Sequence, residues 1–352
     1  MKKTIAFILI IILSFQATSV FSEDTEINSV LYKCFEYILN TVKNPTCSSV
    51  GGEWTVLGLA RSGIKISDGY FDTYYSNLCD YLNSCGGVMH RVKYTEYSRA
   101  IIAVTAIGKN PSDVSGYNLL LPLSDFDKTI KQGINGPIWA LIALDSGNYA
   151  IDENVNAVNP ATKEKYVDYI LSKQTSEGTW SLSGEGTDPD ITAMALVALS
   201  KYKERQDVKD ALTKAITKMS ELQTSSGGYI TEGTESSESS AQMLVALSEL
   251  GISYTDSRFT KNGNNLLTNL LSFMLPDGSF CHTKAKKEAN LMATEQAFYA
   301  VVSVNRATKG ENTLYNMSDI AKKDNLSYNE SYISVVIEKL KLITEALNRA
   351  KG

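Results

Sequence analysis

The chain has 352 residues and a formal net charge of −5, with 34 Lys and Arg scattered among 39 Asp and Glu. Phosphate binding draws on a concentrated basic face, so this mildly acidic, unclustered pattern excludes nucleic acid as a partner. Two histidines, His90 and His282, are too few for a histidine-rich centre, and Cys79, Cys85 and His90 lack the paired spacing of a zinc site, so neither metal nor cofactor is expected.

The chain opens MKKTIAFILIIILSF. Lys2 and Lys3 precede an apolar run from Ile5 to Phe15, and Val20 and Ser22 are small residues at the expected cleavage positions. That is the layout of a secretory signal peptide, assigned to 1–22, and it predicts a protein that is secreted or held at the cell surface. The run is shorter than the ~20 residues a membrane span needs, and no later segment is apolar enough, so no transmembrane segment is expected in the mature chain. Export permits disulfides among Cys34, Cys47, Cys79, Cys85 and Cys281. Cys79 and Cys85 are near enough in sequence to close a short loop, and the pairing stays open.

From residue 23 onward the chain repeats itself. "GGEWTVLGLARSGI" (51 to 64), "YTEYSRAIIAVTAIG" (94 to 108), "INGPIWALIALDSG" (134 to 147), "DPDITAMALVALSKY" (188 to 202), "SSESSAQMLVALSELG" (236 to 251) and "ATEQAFYAVVSVNR" (293 to 306) each pass from small or polar residues into a helix of Ala, Leu, Val and Ile. Six copies spaced by about 40 to 60 residues fall in the range of helical-hairpin repeats. Between them lie amphipathic segments such as "EKYVDYILSKQ" and "VKDALTKAITKMSELQ", with apolar residues recurring at three and four. A helix apolar all round is buried and a one-sided helix covers a surface, so each unit predicts one outer and one inner helix.

Strand signals are weak, and the polar-faced caps of an open solenoid are missing. The expectation is an all-α protein, an α/α toroid of about six hairpins forming a single domain over 23–352. The last segment, "YISVVIEKLKLITEALNRAKG", reads as an outer helix closing the wall. Loops such as "KQTSEGTW" (173 to 180) and "LQTSSGGYI" (222 to 230) place Gly two residues before an aromatic, with Gln174 and Gln223 set to cap a helix end or bridge to the next hairpin.

The run Gln174 to Trp180, with its weaker copy Gln223 to Tyr229, resembles the repeated motif of squalene cyclases and related terpenoid cyclases. "DPDITA" is similar to their acidic motif. The resemblance covers nearly the whole mature chain and implies the α/α toroid shared by terpenoid cyclases, protein prenyltransferase beta subunits and cobalamin carriers. Phrases such as "GGEWTVLGLARSG" and "GINGPIWALIALDS" look most like bacterial exported proteins with prenyltransferase and squalene-oxidase repeats.

Carried over, the resemblance puts Asp190 in the position of a proton donor, with Asp188 first in the motif. Such an acid must stay protonated in an apolar cavity, tuned by a neighbouring carboxylate. This chain has Ile191 where the family has a further Asp, which removes one partner of the acid. Asp at a helix start also simply caps free N–H groups, worth ~1 kcal/mol. Glu53, Glu96, Glu238 and Glu295 stand near the starts of their own inner helices, so acidity there is general to the repeats.

If every inner helix begins at one end, Glu53, Trp54, Glu96, Tyr97, Arg99, Asn135, Trp139, Glu238, Gln242, Glu295, Gln296 and Tyr299 converge with the two aspartates around one mouth, where polar groups and aromatics suit a small-molecule site. Arg61 and Arg99 can neutralise carboxylates there, and Met194 and Met243 read as core. A zinc prenyltransferase would need ligands such as Asp277, Cys281 and His282, but that family's ligands come from separated segments. Cobalamin carriers add a small β-domain for which this chain has no room. The expected function is therefore an exported toroid that binds, without catalysis, a small hydrophobic or amphipathic ligand such as an isoprenoid or corrinoid, or a cell-surface component. The alternative is a terpenoid-cyclase-like enzyme using Asp190. N-x-S sites stand at Asn316, Asn325 and Asn329.

Overall fold

The computed structural model describes residues 26–231 and 233–320. The signal peptide expected at 1–22 and the closing outer helix expected at 332–352 lie outside the described residues.

Among the described residues twelve α-helices follow in order: α1 (26–41), α2 (Trp54–Arg61), α3 (Asp68–Ser84), α4 (Thr95–Ala106), α5 (Phe126–Thr129), α6 (Asn135–Ser146), α7 (Lys163–Ser172), α8 (Pro189–Leu199), α9 (Gln206–Leu222), α10 (Ser237–Leu250), α11 (Leu266–Leu271) and α12 (Leu291–Thr308). The even-numbered helices are the six repeated segments. They pack in a closed circle: α2 on α4, α4 on α6, α6 on α8, α8 on α10, α10 on α12, and α12 back on α2. An α/α toroid of six hairpins results, with the odd-numbered helices outside.

The residue pattern explains the two layers. In α6 every residue from Gly136 to Ser146 is buried, which only an inner position permits. In α9 the buried residues Val208, Ala211, Leu212, Ala215 and Met219 form one stripe, leaving charged residues to solvent. Strands are confined, among the described residues, to two antiparallel pairs, β1 (Ile230–Thr231) with β2 (Thr234–Glu235) and β3 (Thr260–Lys261) with β4 (Asn264–Asn265).

The repeated loops join neighbouring hairpins. Gln174 Nε2 donates to the carbonyls of Gly178 (2.8 Å) in its own loop and Ala211 (2.9 Å) on α9. Gln223 repeats this with Gly227 (2.9 Å) and Phe259 (2.8 Å). At Gly278, with φ of 91°, any Cβ would collide with the Lys33 carbonyl of α1, so the last hairpin is set directly against the first helix.

All five cysteines are free thiols. Cys79 lies on α3 and Cys85 caps its C-terminus. Six residues along a helix put roughly 9 Å between them along the axis, too far for a bond.

The C-terminal ends of the inner helices are closed by residues 309–320, a strap the sequence did not disclose. Arg61, expected near the mouth, sits at this base because it ends α2. It donates to the carbonyls of Thr313 (2.8 Å), Leu314 (3.1 Å) and Asn316 (3.0 Å) and to Asp319 (2.7 Å). Arg306 binds Asp319 and the carbonyl of Asn312 (2.7 Å). Glu249 accepts from Thr313 (2.6 Å) and from the Tyr315 N–H (3.0 Å).

Candidate functional site

With the base closed, the toroid is a cup that opens at the inner-helix N-termini. A cavity of about 190 Å³ lies on its axis. Seven of the expected residues line it together: Trp54, Arg99, Asn135, Trp139, Gln242, Gln296 and Tyr299. Thr95 and Arg99 are four apart on α4, as are Asn135 and Trp139 on α6, so each pair shares one helix face.

The aromatic rings form the floor. Trp54 and Trp139 have centroids 5.0 Å apart and Trp54 and Tyr299 5.9 Å, while Tyr315 of the strap meets Trp139 edge-on at 6.3 Å. Gln242 Nε2 bridges the Tyr299 hydroxyl (2.6 Å) and Gln296 Oε1 (2.9 Å).

Carboxylates surround this floor without entering it. Arg99 reaches Glu53 through Nε (3.4 Å) and Glu96 through Nη2 (2.6 Å). Burial pushes the Glu53 carboxyl up to about 7, against the opposing pull of Arg99. Glu295, fully buried, accepts from the Gly51 N–H (2.9 Å) and the Thr55 hydroxyl, and burial raises it to about 7 as well. Glu238 meets His282 Nδ1 at 2.8 Å and accepts from Ser237 (3.0 Å).

Asp188 is the N-cap of α8, accepting from the N–H groups of Asp190 (3.0 Å) and Ile191 (3.1 Å). Asp190 lies at the rim, outside the cavity lining. Burial raises its carboxyl to about 6, a Ser239 hydrogen bond lowers it, and Asp188 and Glu238 raise it further. Four oxygens near this mouth are buried with no hydrogen-bond partner: Glu53 Oε1, Asn135 Oδ1, Asp190 Oδ1 and Glu295 Oε2.

Two expectations need correction. Tyr97 does not face the axis, because two helical steps turn it about 200° from Arg99. Its hydroxyl accepts from the Met89 N–H (3.0 Å), and it borders a separate outer groove with Tyr94 and Tyr117. Met194, read as core, lines the cavity one turn beyond Asp190. Gln132, Thr95 and Ser49 also line it and were missed. Gln132 precedes α6 in a short turn and accepts from the Thr95 hydroxyl (3.1 Å), a pairing outside the repeat pattern. Asp277, Cys281 and His282 do not converge: Asp277 accepts from Ser279, Cys281 donates to the Phe273 carbonyl, and His282 turns to Glu238.

No helix among the described residues is long and apolar enough to cross a membrane. No protein-family model matches this sequence, and no curated protein is significantly similar to it. Solved structures of similar shape exist. An apo variant of the type II terpene cyclase MstE from Scytonema matches with a TM-score of 0.50 and 11% identity, over 82% of this chain and 99% of that one. A variant in complex with the product merosterolic acid A matches at 0.47 and 11% identity over 82% and 99%. A third, with the substrate geranylgeranyl dihydroxybenzoate, matches at 0.47 and 10% identity over 84% and 99%. The match at a TM-score of 0.50, with the closed circle of inner helices, gives the chain a terpenoid-cyclase-like fold.

Proposed function

We propose that this toroid is an exported, non-catalytic binding protein, one domain over 23–352, whose axial cavity takes a small amphipathic ligand through the inner-helix mouth. One observation carries the reading: all six inner helices contribute side chains to a single cavity with an aromatic floor and amide and guanidinium walls.

Polyprenyl cyclisation fits that cavity poorly. At about 190 Å³ it is below the roughly 300–1,000 Å³ of ordinary ligand pockets, which also argues against a corrinoid. A protonating acid would have to aim at an alkene across apolar walls, whereas Arg99, Gln242 and Gln296 occupy the walls here. One observation favours the cyclase alternative. Asp190 is held up to about 6 with Oδ1 unpartnered, as a proton donor would be.

The two readings separate on incubation of the purified chain with squalene and geranylgeranyl diphosphate. Binding without turnover gives no cyclised product from wild type or from Asp190→Asn. A cyclised product that disappears in Asp190→Asn would overturn the non-catalytic reading.

A further inference from the structure

We infer that the ligand of the axial cavity is a small organic cation, an ammonium or methylated ammonium group on a short tail. This rests on the proposed use of the cavity as a binding site and names the chemistry it selects.

The floor provides the first argument. Trp54, Trp139 and Tyr299 come from three different helices, line the same cavity and pack against one another in tilted pairs. The faces of aromatic rings carry partial negative charge and attract cations, most strongly where water is excluded.

The charge around the floor provides the second. Glu53, Glu96, Asp190, Glu238 and Glu295 ring the mouth; among the described residues Arg99 is the cation paired with them, and Glu238 meets the His282 imidazole. Arg99 already spends Nε and Nη2 on Glu53 and Glu96. The Tyr299 phenol on the cavity wall is raised first by burial, lowered by its Gln242 hydrogen bond, and raised further by Asp190, Glu295 and Glu238. Walls of low dielectric concentrate such a field.

Hydrogen-bond accounting is the third. Once the three carboxyls are ionised, the unpartnered buried atoms Glu53 Oε1, Asn135 Oδ1, Asp190 Oδ1 and Glu295 Oε2 are acceptors, set against one unpartnered donor, the Tyr74 hydroxyl beside Glu53. An acceptor left without a donor costs about 1–3 kcal/mol, so the mouth is short of positive charge and of donors. A neutral apolar guest leaves that shortage in place. An anion such as a prenyl diphosphate makes it worse.

The test uses three small molecules on the full mature chain: choline, its carbon isostere neohexyl alcohol, and the branched anion isovalerate, followed by tryptophan fluorescence and calorimetry. Choline is expected to bind at least about tenfold more tightly than the alcohol, and isovalerate not at all. Glu295→Gln, checked for folding by circular dichroism and assayed about two pH units above the Glu295 value so that the wild-type carboxylate is ionised, should weaken choline about tenfold and leave the alcohol unchanged. Equal binding of choline and alcohol, lost in Trp139→Phe, would keep the binding reading and overturn the cationic one. Preferential binding of isovalerate would overturn it too. No response to any of the three would sink both.

Discussion

The two ends of the cup are built from the same six helices and differ in how they treat polar atoms. At the base, Arg61 and Arg306 are consumed by the carbonyls of the strap and by Asp319, and Glu249 is answered by Thr313 and Tyr315. At the mouth, four buried oxygens have no donor and two glutamates are pushed up to about 7. Satisfied groups hold a fold together, whereas unsatisfied ones are tolerated where something else is to arrive. The base therefore reads as structural, and the mouth is where the proposed ligand would supply the missing partners.

The largest expected effect is at the base. Arg61→Ala leaves Asp319 and three carbonyls short of a buried partner, and should lower unfolding stability by about 3–5 kcal/mol in denaturant titration. A loss under about 1 kcal/mol would show that the strap is not fixed by this residue.

At the mouth the sign should reverse. The Glu295 carboxyl titrates near 4.5 ordinarily and near 7 in the fold. Between those values the unfolded chain ionises while the folded chain keeps its proton. This contribution is therefore complete below pH 4.5 and is lost as pH rises through 7. Wild type should lose stability from acidic to alkaline pH for this reason. Glu295→Gln, which keeps the shape without the charge, should be more stable than wild type by about 2–3 kcal/mol at alkaline pH and equal to it in acid. A variant that is destabilised at both would erase the contrast between the two ends.

The smallest effect belongs to Asp188. As an N-cap with two backbone bonds it should cost about 1 kcal/mol on Asp188→Ala, read as a small fall in melting temperature with ligand binding intact. Loss of binding without loss of stability would move Asp188 from cap to ligand contact.

The ring was legible in the sequence because burial on all sides leaves a compositional mark: α6 and α8 could not be anything but inner helices. The shared mouth followed from repetition alone, since identical hairpins place their inner helices in parallel. Facing within the mouth was harder. Arg99 and Tyr97 are two residues apart and point in opposite directions, which a list of residues near a helix start does not distinguish. The strap left no mark at all. Its Leu314 and the partner Arg61 on α2 are 253 positions apart, and its own residues are ordinary loop residues. Glu238 stands in the first turn of α10, and its neighbour His282 comes from a loop outside the repeated segments.

The circle of inner helices has no free edge, and its last join is made between α12 and α2, where the Thr55 hydroxyl meets Glu295 across 240 positions. Until the final hairpin is in place, the first inner helix keeps an apolar flank uncovered and the mouth is missing one side. Late closure of so distant a contact is slow, and the binding chamber comes into being only with it. Removing the last hairpin would therefore expose two helix faces at once, those of α2 and α10, and should yield an aggregating chain instead of a smaller ring.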